Sequence, residues 1–312
     1  MTARSRLSSL ILICSLVPLL QSCDSDRKIP ENEAPGSAPT MAELKNMAYQ
    51  GFDGLEDPVV LSDGVWEGAP FQDGAQTRPR VTFAGNFRID GDLDGDGTEE
   101  TAVLLNVSLG GTGQLLHLCI VAQSAGLPVN RATAFIGDRV QIRSGKTIDN
   151  HVFLEVVEAG PDDPACCPGQ IMTYGWTYTA EGALERSTLS QTPLRLSLDL
   201  LGEQEWELRF WDREEPAPEN PPVTLGYSEG RFVGSSGCNR YFASVSERIS
   251  AGDISVGPVG STQMACPDDD MKVEIRYLAN LGNATRFGFQ LGRLALTYQA
   301  DGEIRTMLFE KR

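Results

Sequence analysis

Histidine, positive charge and long apolar runs are all scarce in this sequence, and each scarcity argues against a class of function. Two histidines in 312 residues leave little room for histidine-based catalysis or a histidine-rich metal site. Lysine and arginine total 26 against 43 acidic residues, and this net charge of −17 argues against binding nucleic acid or anionic lipid through the folded surface. The apolar fraction of 41% is nevertheless ample for hydrophobic cores, and the 32 glycines and 18 prolines predict many turns.

The longest apolar run stands near the N-terminus, from Leu7 to Leu20, behind two arginines. It is shorter than the ~20 apolar residues of a membrane span and is interrupted by serine and proline, so it predicts an export signal. Its end, Leu20-Gln21-Ser22-Cys23, resembles a bacterial lipobox, in which a peptidase cuts before a cysteine that is then acylated. The resemblance implies that residues 1–22 are removed and that acylated Cys23 anchors the chain in a bilayer. The alternative is an ordinary secretory signal with a chance cysteine.

The chain after Cys23 is expected to face an extracytoplasmic, periplasmic space, because no later apolar run approaches the length of a span. Residues 23–39 are rich in proline, glutamate and serine and predict a disordered tether. Two β-rich domains are predicted beyond it, over residues 40–195 and 203–312. The expected fold class is therefore mainly β (α+β), and whether the anchor sits in the inner or the outer membrane is left open.

Short apolar runs separated by glycine, aspartate and proline predict a sandwich or barrel in the first domain. Thr40 and Glu43 match a capping box, and partial helical spacing extends from there to Gly51. This pattern predicts one helix ahead of the strands. The strands themselves are expected at residues 58–61, 80–88, 101–107, 115–122, 139–143, 151–157 and 170–179.

An acidic loop between two of these strands is the segment with the most chemical character. Asp92, Asp94, Asp96 and Glu100 stand at loop positions 1, 3, 5 and 9, with a glycine at position 6. Calcium takes six to eight oxygen ligands, which alternating carboxylates in a tight loop supply. Position 12 is Val103 rather than glutamate, so the loop is not a complete EF-hand and resembles instead the loops of integrin-type and FG-GAP β-repeats. A structural Ca²⁺ site is one hypothesis, and an acidic turn without an ion is the other.

A glycine-rich turn over residues 110–113 follows, and Gly137-Asp138-Arg139 comes later. A phosphate-binding loop would need a lysine and a helix after these glycines, whereas a strand is predicted there. The order of acidic loop, glycine-rich turn and Gly-Asp-Arg resembles a domain of some bacterial lipoproteins over most of residues 40–190. That resemblance supports the domain boundaries and implies no activity.

Two short motifs mark the C-terminal third of the chain. Gly237-Cys238-Asn239 is followed by Tyr241, and Thr262-Gln-Met-Ala-Cys266 comes after it. In this order, with an opening Trp206-Glu-Leu and with Glu274 further on, they resemble the META domain of HslJ-like, heat-shock-associated envelope proteins over about 110 residues. The resemblance implies a curved antiparallel sheet packed on one helix. Because META relatives are linked to heat-shock and drug-tolerance phenotypes, it also implies a role in stress tolerance.

The helix of this domain is expected from its local pattern as well. Three aspartates stand at its start, where the helix dipole favours them, and a Gly-Asn pair can end it at residues 282–283. Met271, Ile275, Leu278 and Gly282 recur at helical spacing and predict its apolar face. Two glycine-containing turns, at residues 291–292 and 301–302, predict three closing strands over residues 285–290, 293–299 and 303–309.

The cysteine count is odd once Cys14, in the signal, and the lipobox Cys23 are set aside. Cys119 lies in an apolar run and is expected to be a buried free thiol. Adjacent Cys166 and Cys167 lie in a loop, where they could bridge each other or one could pair with Cys119.

Cys238 and Cys266 are the only two cysteines of the second predicted domain. They belong to the two segments that most resemble META domains, which suggests that these segments lie close together in the fold. In an oxidising compartment the two are expected to form a disulfide. The alternative is that both are buried as small apolar side chains.

The preferred function is that of a non-enzymatic, membrane-anchored envelope lipoprotein that binds an envelope protein or glycan, or supports envelope and heat-stress tolerance. The first alternative is a calcium-dependent adhesive or carbohydrate-binding lipoprotein, based on the acidic loop. The second is a hydrolase with that loop as its metal site, and it lacks a nucleophile–base pair. Cys238 has no histidine in its own predicted domain, because His117 and His151 both lie in the other.

Overall fold

Antiparallel β structure dominates the computed structural model, which describes residues 37–56, 58–72, 76–164, 166–179, 181–190 and 192–312. The prediction of a mainly β fold with little helix is confirmed. The export signal, Cys23 and most of the predicted tether lie outside the described residues. Within those residues no helix combines the length and the apolarity that crossing a membrane requires.

A short helix, α1 (Met41–Leu44), comes near the start of the described chain. The predicted capping box is present at its N-terminus. The Thr40 hydroxyl accepts a hydrogen bond from the Glu43 N–H at 3.3 Å, and the Glu43 carboxylate accepts one from the Thr40 N–H at 2.8 Å. Two backbone donors that a helix start leaves without partners are thereby satisfied.

The predicted continuation of this helix to Gly51 is wrong. The chain enters strand β1 (Ala48–Tyr49) instead, which pairs antiparallel with β2 (Val59–Val60). Tyr49 is fully buried there, and its hydroxyl donates to the Leu44 carbonyl at 2.8 Å. Burial of this ring in the core outweighs the local helical spacing.

Five antiparallel strands form the first large sheet, and each pairs with the next along the chain. They are β3 (Val65–Glu67), β4 (Arg80–Gly91), β5 (Glu100–Ser108), β6 (Leu115–Ser124) and β7 (Leu127–Asp138). Alternate residues of β5 point to opposite faces, so Ala102 and Leu104 join one hydrophobic cluster while Val103 and Leu105 join another. The sheet is therefore buried on both faces at its centre.

The second sheet contains the remaining strands of the region predicted as the first domain. They are β8 (Gln141–Ile148), β9 (His151–Glu158), β10 (Gln170–Tyr178), β11 (Leu184–Thr188) and β12 (Leu194–Arg195). The order is β11-β10-β9-β8, and β12 pairs with the start of β10. All seven predicted strands overlap observed ones, whereas β1, β3, β7, β11 and β12 were not predicted.

The C-terminal part of the chain forms an eight-stranded antiparallel sheet in the order β17-β16-β15-β14-β13-β20-β19-β18. A short 3-10 helix, η1 (Leu198–Leu201), precedes the sheet. The strands and the one α-helix of this part follow in chain order as β13 (Trp206–Phe210), β14 (Thr224–Ser228), β15 (Arg231–Ser235), β16 (Arg240–Glu247), β17 (Ile254–Ser261), α2 (Asp268–Gly282), β18 (Ala284–Gln290), β19 (Arg293–Ala300) and β20 (Glu303–Lys311). Helix α2 packs on this sheet. One helix on an antiparallel sheet is the predicted arrangement, and it is confirmed.

The buried face of α2 differs from the predicted one. Glu274, Tyr277, Asn280 and Leu281 are buried, whereas Ile275, expected on the apolar face, is 65% exposed. The prediction assumed that apolar side chains define the inner face of a helix. The helix instead turns a carboxylate inward, where hydrogen bonds to a neighbouring turn satisfy it.

The region between the two predicted domains is packed rather than open. Val157, Ile171 and Leu196 are buried in the same hydrophobic cluster as Trp206 and Phe289. A hydrogen bond also joins the two predicted domains: the Phe289 N–H donates to the Gln141 carboxamide oxygen at 2.7 Å. The boundary predicted between residues 195 and 203 stays a prediction.

Candidate functional site

The acidic loop joins β4 to β5 and takes its shape from hydrogen bonds to its own backbone. The Asp92 carboxylate accepts from the N–H groups of Gly95 at 2.7 Å and Gly97 at 3.2 Å. Both glycines have positive φ, +82° and +87°, a backbone conformation that side chains with a Cβ rarely adopt. The sequence pattern of alternating aspartate and glycine is therefore the pattern that this turn requires.

Three of the four predicted metal ligands converge in this loop. One carboxylate oxygen each from Asp92, Asp94 and Glu100 lie within 4.8 Å of one another. This group does not include Asp96, whose carboxylate accepts from the Thr98 N–H at 2.8 Å and the Thr98 hydroxyl at 2.6 Å. A set of carboxylate oxygens at this separation has the ligand chemistry that Ca²⁺ prefers.

Glu100 gives the acidic loop a buried wall. Glu100 is only 1% exposed, and its carboxylate accepts a hydrogen bond from the Leu93 N–H at 2.8 Å. Burial raises the pKa of Glu100, the Leu93 hydrogen bond opposes that rise, and the charges of Asp94 and Asp96 add to it. A divalent cation would relieve this crowding of negative charge, so the loop fits Ca²⁺ in charge as well as in ligand type.

A tight turn over residues 236–239 connects β15 to β16. Gly237 has φ +103°, which explains why a glycine stands there. The Ser236 N–H donates to the Asn239 carbonyl at 2.8 Å and closes the turn. Cys238 and Asn239 are thereby presented inward, and both are buried.

Asn239 uses both ends of its carboxamide to join three segments. Its Nδ2 donates to Glu274 Oε1 of helix α2 at 3.0 Å. Its Oδ1 accepts from the Thr262 hydroxyl at 2.7 Å and from the Met264 N–H at 2.8 Å. The turn, the segment after β17 and the helix are therefore tied together through one side chain.

Glu274 is 6% exposed, and its second carboxylate oxygen is saturated as well. Oε2 accepts from the Asn239 N–H at 2.8 Å and from the Ser236 hydroxyl at 2.6 Å. A buried carboxylate is tolerated when hydrogen bonds replace its water, and here three donors do so. We refer to Ser236, Asn239, Thr262 and Glu274 as the polar knot.

A disulfide and a tyrosine pair flank the polar knot. Cys238 and Cys266 lie at bonding distance with their Cα atoms 5.9 Å apart, inside the ~4.4–6.8 Å range of protein disulfides. Where the helix meets the sheet, the hydroxyls of Tyr241 on β16 and Tyr277 on α2 are 2.7 Å apart, and both residues are buried. All these contacts hold the helix against the sheet.

Residues 199–311 match the sequence model of the META domain family. This segment of the chain is a META domain. The Gly-Cys-Asn turn, the Thr-to-Cys266 segment and Glu274, which carried the resemblance in the sequence, are thus the residues of the polar knot and its disulfide.

The chain is similar to an NMR structure of a protein from Burkholderia xenovorans, at 25% identity over 40% of this chain and 95% of that chain, with a TM-score of 0.29. No curated protein matches the chain.

The META domain does not present Cys238 as a nucleophile, because its sulfur lies at bonding distance from Cys266. Cys119, outside the domain, is a fully buried free thiol, and burial raises its pKa to about 12. Burial also lowers the pKa of His117, whose ring packs edge-on against Phe52. The His151 ring nitrogen is 3.2 Å from the Thr177 hydroxyl on the neighbouring strand.

Proposed function

We propose that the protein is a membrane-anchored envelope lipoprotein, on the periplasmic face of a bacterial membrane, whose META domain binds an envelope partner without catalysis. The observation that carries the proposal is the META domain at residues 199–311, whose resemblance to heat-shock-associated envelope proteins implies a role in envelope or heat-stress tolerance. The lipobox-like Leu20-Gln21-Ser22-Cys23 supports the anchor.

A binding role accords with the state of the chemically reactive groups in the described residues. The sulfur of Cys238 lies at bonding distance from Cys266, and Cys119 is fully buried. A cysteine nucleophile needs an adjacent base, and a thiol with a pKa of about 12 stays protonated at neutral pH. The buried carboxylate of Glu274 has its oxygens occupied by hydrogen bonds within the polar knot.

The anchor is tested by replacing Cys23 with serine in the native host. We expect the variant to move from the membrane fraction to the soluble fraction, because acyl chains at Cys23 would supply the membrane affinity. Cys14→Ser is the matched control, since this cysteine lies in the segment expected to be cleaved, and it should leave the protein in the membrane. Retention of the Cys23→Ser protein in membranes washed with high salt would contradict the proposal.

A second candidate function rests on the acidic loop. Convergence of Asp92, Asp94 and Glu100 within 4.8 Å favours a Ca²⁺ ion that rigidifies the hairpin between β4 and β5. Such a site would make the region predicted as the first domain a calcium-dependent adhesive or carbohydrate-binding module. The ion would have a structural role, because it would hold the acidic loop between β4 and β5 in one conformation.

Calcium should raise the melting temperature of the protein, because an ion that binds only the folded state stabilises it. The free energy of unfolding should rise by about 2.7 kcal/mol when calcium is at a hundredfold excess over Kd. Asp94→Ala removes one converging oxygen and should abolish this rise. Asp149→Asn is the matched control, because Asp149 is an exposed acidic residue close to the acidic loop. Its neighbour Asn150 places its side-chain amide next to Gly95 of that loop. It removes a nearby charge without removing a ligand, and the calcium effect should persist.

The outcome that contradicts the calcium site is a melting curve that stays unchanged from micromolar to millimolar calcium. An equal loss in Asp94→Ala and Asp149→Asn would instead assign the effect to general charge screening. Adhesion is read separately, as calcium-dependent retention of the protein on isolated envelope polysaccharide. Binding that Asp94→Ala leaves intact would exclude the loop from adhesion.

A further inference from the structure

The loop between β9 and β10 carries two adjacent cysteines that the structure pairs with each other. Cys166 and Cys167 form this vicinal pair, and their Cα atoms are 3.8 Å apart. The other possible partner, Cys119, is free and fully buried on β6. The sequence left these two pairings open, and the structure favours the vicinal one.

The loop is anchored by a buried carboxylate rather than left to move freely. Asp163 accepts hydrogen bonds from the N–H groups of Gly160 at 2.9 Å and Gly169 at 3.0 Å, and from Arg195 at 2.7 Å. Burial raises the pKa of Asp163, but these hydrogen bonds and the charge of Arg195 outweigh it, so the pKa lies below its ordinary value. The two ends of the loop, at Gly160 and Gly169, are therefore tied together by one carboxylate.

A guanidinium of the META domain lies directly against one of the two sulfurs. Arg286, on β18, donates from Nη2 to Cys167 Sγ at 2.7 Å. Its Nε donates to the Asp253 carboxylate at 2.8 Å, which fixes the plane of the guanidinium and leaves Nη2 to face the sulfur. A positive group beside a cysteine stabilises the thiolate form of that cysteine.

The two sulfurs also differ in their access to solvent. Cys166 is exposed, whereas Cys167 is 8% exposed. Thiol–disulfide exchange depends on which sulfur can be attacked and on how well the other sulfur leaves as a thiolate. Both requirements select the same direction of reaction here, with attack at Cys166 and departure of Cys167.

We propose that Cys166–Cys167 is a thiol-exchange site for a small aliphatic thiol, with Arg286 stabilising the leaving Cys167 thiolate. The incoming thiolate forms a bond to Cys166 Sγ, and the Cys166–Cys167 bond breaks with its electron pair going to Cys167 Sγ. The products are a mixed disulfide on Cys166 and a Cys167 thiolate held by Arg286. Attack of this thiolate on Cys166 Sγ expels the small thiol and restores the vicinal bond, so no external oxidant or reductant is consumed.

The direction of exchange is tested on the full chain with 2-mercaptoethanol, which is uncharged and so has no charge attraction to Arg286. Samples are quenched with N-ethylmaleimide and mapped by peptide mass spectrometry, which distinguishes each cysteine. We expect the mercaptoethanol adduct on Cys166 and the maleimide on Cys167, while Cys238 and Cys266 stay linked. An adduct on Cys167, an even distribution, or free thiols at both positions before treatment would overturn the proposal.

The role of the guanidinium is tested with Arg286→Gln, which should slow cleavage of the vicinal bond about tenfold. It should also move maleimide labelling of Cys167 in the adduct to higher pH. Asp253→Asn is the matched control, because it removes the charge of the ion pair and keeps an amide oxygen that can accept the hydrogen bond from Arg286 Nε. Its rate should stay within about twofold of the native rate. Equal slowing in the two variants would make Arg286 a structural tie and overturn its proposed role.

Discussion

Asn239→Ala is expected to lower the free energy of unfolding by about 2–3 kcal/mol, because the polar knot loses its central member. The carboxamide of Asn239 donates to Glu274 and accepts from Thr262 and the Met264 N–H. Its removal leaves Glu274 Oε1 without this partner at a buried site, and an unsatisfied buried carboxylate oxygen costs its desolvation. Thr262 and Met264 are exposed, so water can replace the carboxamide at their donors. Urea denaturation followed by tryptophan fluorescence measures the change.

The control for this variant is Arg240→Ala, at the next residue of the chain. Arg240 is exposed, and its side chain takes no part in the polar knot, so we expect a change of about 0.5 kcal/mol or less. A double-mutant cycle with Glu274→Gln separates the Asn239–Glu274 bond from the other contacts, because partners in one network show coupled energies. A loss below about 1 kcal/mol in Asn239→Ala would mean that water replaces the knot, which would contradict its structural role.

The closing hairpins of the META domain could be predicted because local backbone chemistry determines them. Leu291 and Gly292 both have positive φ, as do Asp301 and Gly302, and these are the conformations of tight hairpin turns. The strands on either side, β18 to β20, therefore begin and end within two residues of the predicted bounds. Local signals of this kind need no knowledge of the rest of the fold.

Strand β7 shows where such signals fail. Its sequence contains Pro128 and alternates small and polar residues, so it lacks the apolar run of a central strand. It is an edge strand of the first sheet, and Leu127 and Phe135 stay exposed on it. An edge strand gains its stability from pairing along one side, and that pairing with β6 cannot be read from composition.

The polar knot and the contact of Arg286 with Cys167 were missed for a different reason. Periodicity predicts Ile275 as buried, whereas the partners of Glu274 lie 35 and 38 residues earlier in the chain. Arg286 lies 119 residues from Cys167. Contacts over such distances depend on the sheet order, which one sequence does not provide. In the acidic loop the residue types were sufficient to predict a cluster, but the converging group does not include Asp96, whose carboxylate accepts two hydrogen bonds from Thr98.

Replacing Cys238 and Cys266 together by alanine is expected to lower the free energy of unfolding by roughly 3–4 kcal/mol. The two cysteines are separated by 28 positions, and a bond between them restricts a long loop of the unfolded chain. Alanine is chosen because Cys238 is buried, where a serine hydroxyl would add a polar group in need of a partner. Urea denaturation without reductant measures the change, and peptide mapping of the native protein checks that the pair is linked.

The matched control is the double replacement of Cys166 and Cys167 by alanine. Their sequence separation is 1, so a bond between them closes almost no loop, and we expect a loss below about 1 kcal/mol. Both double variants remove two sulfurs, and the difference between them isolates the effect of loop length. With reductant present, the native protein and the Cys238, Cys266 variant should unfold at nearly the same urea concentration. Free thiols at Cys238 and Cys266 in the native protein, or equal losses in the two variants, would contradict a stabilising bond between Cys238 and Cys266.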